Sequence, residues 1–122
     1  MTDSKLLDSS IWLDYLHNRN HSKIIESNER LLLSSLSLFE IKRKSIKSKI
    51  PMDKIAKGIE FVKKRSLIIP VTIEIAEKSV DISISNRLAT VDSIIYTTAL
   101  LNNSTLLTSD NDFRGLKDVV IL

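Results

Sequence analysis

The strongest constraint on the fold is a set of short runs that are apolar at consecutive positions rather than at alternate ones. They are Lys5-Leu6-Leu7-Asp8, Leu31-Leu32-Leu33, Leu67-Ile68-Ile69-Pro70-Val71, Thr105-Leu106-Leu107-Thr108 and Val119-Val120-Ile121-Leu122. A strand apolar on both faces has to be covered on both faces, and the segments between these runs carry helical periodicity. The pattern predicts an α/β fold with a short parallel sheet and helices on both sides. Taken alone, Leu31-Leu32-Leu33 could equally sit in a helix. Ligands on such sheets collect at the carboxyl ends of the strands.

The helices have their own punctuation. Ser9 or Ser10 can cap a helix carrying Ile11, Trp12, Tyr15 and Leu16. Ser37-Leu38-Phe39-Glu40 opens a basic helix that must stop near Pro51. A helix from Met52 buries Ile55, Ile59 and Val62. Thr72 caps the next, with Ile75, Ala76, Ser79 and Val80 facing inward. Thr90 caps another that runs through Ile94, Ile95, Thr98 and Ala99 to about Leu101, and Asn102 and Asn103 suit its left-handed end.

The chain has 122 residues, the length of one domain, taken here as 1–122. It has no cysteine, which excludes disulfides, thiolate zinc sites and cysteine nucleophiles. No run reaches the length of a membrane span, and Asp3, Lys5 and Asp8 interrupt any secretion signal. A soluble protein of the cytoplasm, with no membrane partner, is the expectation. Residues 42–65 hold ten Lys or Arg against two acids, a net of +8, whereas the remainder carries −5 and the whole chain +3. Such a split fits a polyanionic partner on one surface, although on charge alone a solvated helical face is the better account of the run.

Acids stand where strands end and helices begin. Asp8 closes the first run, Asp110 and Asp112 follow the fourth, Asp92 lies in the first turn after Thr90, and Glu40 lies near the start of the basic helix. The parallel-sheet reading puts these positions on one rim. Two carboxylates ~4 Å apart repel by about 4 kcal/mol at an effective dielectric of 20. Gathered together they require a cation, and an all-oxygen donor set suits Mg²⁺ or Mn²⁺ rather than zinc. Such a site beside a basic surface is what phosphodiester hydrolysis needs. Each acid also has a local reading: Asp8 and Asp92 as helix-start residues, Glu40 as a capping box with Ser37, and Asp110-Asn111-Asp112 as a turn.

Other sites fail on their composition. His17 and His21 have no third ligand. No Ser–His–Asp set with a nucleophile elbow is present. Asp110-x-Asp112 followed by Gly115 echoes a calcium loop, but Ile121 stands where the bidentate Glu belongs. Trp12 and Tyr15 read as core.

Four segments, in order and with the expected spacing, resemble the PIN domain, and within it the VapC-like ribonuclease toxins of toxin–antitoxin pairs. They are Asp8-Ser9-Ser10-Ile11-Trp12-Leu13, Ser37-Leu38-Phe39-Glu40-Ile41, Asp92-Ser93-Ile94-Ile95-Tyr96-Thr97-Thr98-Ala99, and Leu106-Leu107-Thr108-Ser109-Asp110-Asn111-Asp112-Phe113. The resemblance implies a three-layer α/β/α sandwich, Mg²⁺- or Mn²⁺-dependent endoribonuclease activity, a homodimer and a cognate antitoxin. Carried over residue by residue, it implies Asp8, Glu40, Asp92 and Asp110 as metal-site and catalytic acids. Asp112 is a secondary candidate, and Ser9 would orient Asp8 or a water. Lys42, Arg43 and Lys47 would hold RNA phosphates. Relatives often place a glycine before the last motif, where this chain has Asn102-Asn103-Ser104. The rival readings are a receiver-like phosphoacceptor domain and a non-catalytic RNA- or partner-binding module on the same fold.

Overall fold

All five apolar runs become strands. The protein, a computed structural model, describes residues 4–122; Asp3 lies outside them. In chain order the elements are β1 (Lys5–Leu7), α1 (Ser9–Asn18), α2 (Ser22–Ile25), β2 (Leu31–Ser34), α3 (Ser35–Lys47), α4 (Met52–Arg65), β3 (Leu67–Ile69), α5 (Ile73–Asn86), α6 (Thr90–Leu101), β4 (Thr105–Thr108) and β5 (Val119–Ile121). The sheet has the order β3-β2-β1-β4-β5, and every pairing in it is parallel. The chain builds outward from β1 in one direction and then returns to build outward in the other. β1 and β4 therefore flank the switch point, the usual ligand position in open parallel sheets. A receiver-type sheet has the order 2-1-3-4-5, so the phosphoacceptor rival fails on topology.

Consecutive leucines split between the two faces, as the period of a strand demands. Leu7, Leu31, Leu33 and Leu107 join a core with Ile11, Trp12, Ile41 and Val62, from α1, α3 and α4. Leu6, Leu32 and Leu106 join a second core with Ile95, Tyr96 and Ala99 of α6 and Phe113. Two cores on one sheet make the three-layer α/β/α sandwich. No helix among the described residues is long and apolar enough to cross a membrane.

Several local expectations are corrected. Asp8, rather than Ser9 or Ser10, caps α1: its carboxylate accepts from the Ser9 amide at 2.8 Å. α3 starts at Ser35 under a Ser34 cap, so Ser37 lies inside the helix and makes no capping box with Glu40. Ala89, not Thr90, occupies the cap of α6, without a side-chain bond. On α5, Ile75 and Ser79 are buried but Ala76 and Val80 face outward, because the helix meets α6 along a narrower strip than its apolar content suggested. The short α2 was not foreseen. Asn103 takes the left-handed conformation at φ 51°, so asparagine makes the turn where relatives often use glycine.

Candidate active site

The site lies at the carboxyl ends of β1 and β4, and Asp8 is its most extensively hydrogen-bonded acid. The Asp8 amide donates to the Leu107 carbonyl at 2.9 Å, which ties the end of β1 to β4. Its carboxylate Oδ1 accepts from the Ser9 amide. Oδ2 accepts from the Thr108 hydroxyl at 2.8 Å and from the Ser10 hydroxyl at 3.1 Å. Ser10 Oγ in turn accepts from the Ser109 amide, and Thr108 Oγ1 accepts from the Asp110 amide at 3.0 Å. Two hydroxyls thus lock the loops after β1 and β4 together around one buried carboxylate.

Asp110 caps the single turn of 3₁₀ helix at Asn111–Phe113, accepting from the Asp112 amide at 2.9 Å. Asp92 stands in the first turn of α6. One carboxylate oxygen from each of Asp92, Asp110 and Asp112 lies within 4.8 Å of the other two. An octahedral ion with bonds of ~2.1 Å spreads its ligands by at most about 4.2 Å, so a small side-chain rotation closes this set on one ion. Asp112, expected to be secondary, belongs to this tight group, whereas Asp8 and Glu40 stand outside it.

Glu40 reaches in from the second turn of α3, and its carboxylate Oε1 accepts from the Ser9 hydroxyl at 3.1 Å. With no capping box present, nothing in the helix start explains an acid there. Burial raises the Glu40 pKa, and Asp8 raises it further; the Ser9 hydrogen bond and Lys44 oppose the shift, while Asp110 adds to it. Asp92 is pushed up to about 6, first by burial and then by the charges of Asp110, Asp8, Glu40 and Asp112. Five acids from four separate segments therefore feel one another. Neither a chain of local turns nor a set of helix caps predicts that.

Lys42, Arg43 and Lys47 lie exposed on the outer side of α3. The cation that acts on Glu40 is Lys44, one turn further along the helix, which the sequence reading passed over. Thr108 and Ser10 are site residues that the sequence does not single out, although Thr108 lies in the segment Leu106 to Phe113. His17 and His21 do not share a helix: α1 ends at Asn18, and His21 Nε2 meets Asp14 at 3.2 Å instead. Thr108 is fully buried. Thr108→Val keeps its shape but deletes its hydrogen bonds with Asp8, Ser10 and the Asp110 amide. Urea unfolding is expected to show a loss of about 2 kcal/mol, most of it recovered in Thr108→Ser.

The PIN domain profile matches residues 5–119. The chain belongs to the PIN domain family. No curated protein matches it significantly. Among solved structures it is similar to a toxin–antitoxin complex from Klebsiella pneumoniae, at 25% identity and a TM-score of 0.82 over 95% of this chain and 95% of that chain. A DNA-bound VapBC from Salmonella typhimurium aligns at 18% identity and a TM-score of 0.80, over 100% of this chain and 98% of the other. A Mycobacterium tuberculosis VapC toxin described as cleaving the sarcin–ricin loop aligns at 14% identity and a TM-score of 0.71, over 92% and 94%. This PIN domain is VapC-like in fold, as its four motif segments led one to expect.

Proposed function

We propose that this PIN domain is a metal-dependent endoribonuclease and the toxin of a VapBC-type toxin–antitoxin pair. The observation that carries the proposal is the group of three carboxylate oxygens within 4.8 Å, with Asp8 and Glu40 coupled to it. The donor set is all oxygen and fits Mg²⁺ or Mn²⁺. Bound there, such an ion supplies an activated water and neutralises phosphate charge.

The remaining chemistry belongs to the chain. Asp92 and Asp110 would hold the ion, Asp112 would complete the group from the solvent side, and Asp8, fixed by Ser9, Ser10 and Thr108, would add its charge to theirs. Glu40, half-buried and with its pKa raised, takes the proton of the attacking water, and the Ser9 hydroxyl keeps its Oε1 in place. Lys42, Arg43 and Lys47 hold the RNA backbone. By resemblance to the family, the products carry a 5′-phosphate and a 3′-hydroxyl.

The similarity to toxin–antitoxin complexes supports a cognate antitoxin, whose basic side chain would answer the acidic rim. A homodimer in the cytoplasm completes the reading. The exposed apolar side chains Ile73, Val80 and Ile84 of α5 support self-association. The test is incubation of the purified chain with single-stranded RNA. Cleavage in Mg²⁺ or Mn²⁺ that stops in EDTA and leaves 5′-phosphate ends is the expected result. Cleavage that persists in EDTA would sink the metal mechanism. Metal binding without turnover on any RNA would favour the non-catalytic module.

A further inference from the structure

We infer that Phe39 is a stacking platform for a base of single-stranded RNA on the exposed face of α3, with Arg43 and Lys42 holding the adjoining phosphates. The inference rests on the nuclease reading above and adds a positioning residue to it. Phe39 is 63% exposed, although the same helix buries Ile41. It immediately precedes Glu40, the residue that α3 contributes to the site. One turn further on come Lys42 and Arg43, and two turns on comes Ile46; with Lys47 they line one shallow groove together with the ring.

The cations decide what covers this face. Among the described residues none of Lys42, Arg43 and Lys47 forms an ion pair. The only acid in α3 is Glu40, which is turned to the site. A second copy of the same helix would bring charges of the same sign, and another protein would need several carboxylates to offset desolvation of the three cations. A nucleic-acid strand brings a phosphate with every nucleotide and a π-face with every base. Double-stranded RNA hides its base faces, so the ring selects unpaired segments. Stacking does not read base edges, so the preference it creates follows stacking strength rather than a sequence code.

The experiment measures fluorescence anisotropy of a labelled single-stranded RNA with the full chain in EDTA, where binding alone is read. Phe39→Ala is expected to raise Kd about tenfold or more. Phe39→Leu should lose as much, because it keeps apolar area but no π-face. Phe39→Trp should bind like the parent, and its added emission should be quenched by RNA, whereas Trp12 in the parent is buried and should not respond. Arg43→Ala should flatten the salt dependence by about one unit of slope, and Phe39→Ala should leave that slope unchanged. In Mg²⁺ Phe39→Ala and Phe39→Leu should raise KM more than they lower kcat, and Phe39→Trp should change neither. Affinity within twofold of the parent for the Ala and Leu variants overturns the inference, as does rescue by Leu. A fall in sedimenting mass for Phe39→Ala also overturns it, since the ring would then lie between protein copies. A parent chain that neither binds nor cleaves any RNA sinks the nuclease reading itself. A parent that cleaves while its Phe39→Ala and Phe39→Leu variants behave identically to it sinks only this inference.

Discussion

Asp92→Asn is expected to cut RNA hydrolysis by about a thousandfold while making the metal-free protein more stable. The two effects have one source. Asp92 is charged in a pocket where burial and four neighbouring carboxylates disfavour the charge, which is why its pKa rises to about 6. Asparagine keeps the shape and removes the repulsion, so the melting temperature in EDTA should rise by a few degrees. It also removes one of the three oxygens that gather an ion, and metal assistance is worth several kcal/mol of transition-state stabilisation. That loss corresponds to about three orders of magnitude in rate. Initial rates on labelled RNA and thermal melts with and without EDTA check both halves. A variant that hydrolyses RNA at the parental rate, or that melts lower than its parent without metal, contradicts the account. Asp112→Asn should cost less, since Asp112 is exposed and water can take its place.

The second large effect is the dependence of stability on metal and pH. Asp92 has a folded-state pKa of about 6 against an ordinary value of 3.8. Its protonated form is therefore favoured by folding. The stability it contributes is fully present below pH ~4 and is lost as pH rises through ~6. Its screened contribution is about 1–2 kcal/mol, because the group is only half-buried. Glu40 is shifted in the same direction and adds to the trend. A divalent ion reverses the sign, since it needs the ionised carboxylates. At pH 7.5, Mn²⁺ at a hundred times its Kd should add ~2.7 kcal/mol, or about 10 °C in melting temperature. At pH 5 the gain should shrink, because protons compete for the same oxygens. Differential scanning fluorimetry at both pH values, with Asp92→Asn as control, measures this. Equal metal shifts at pH 5 and 7.5 would refute the competition.

The layers of the fold were legible because they follow from period alone. Leu6 and Leu7, or Leu106 and Leu107, must face opposite ways in a strand, and two apolar faces demand two helical covers. The acids were legible as positions at strand ends and helix starts, and the resemblance of the four segments supplied their grouping. What stayed hidden were relations across the chain. That Asp112 rather than Asp8 shares the tight oxygen group depends on the 3₁₀ turn capped by Asp110. The starts of α1 and α3 were misplaced by one to three residues because serines crowd both positions, and tertiary contacts chose among equal caps. The outward side of α5 was missed because Ala76 and Val80, each next to a buried position in the helical period, read as core wherever they fall.

The pairing of β1 with β4 has a consequence for how the protein is made. Thr108 meets Asp8 across 100 positions of sequence, and Asp110 and Asp112 follow immediately behind it. A chain emerging from the ribosome owns Asp8 and Glu40 early but has no cation cradle until its last third slots in beside the first strand. β4 is held on both sides, by β1 and by β5, so the two acids behind it reach their places only with the last two strands in the sheet.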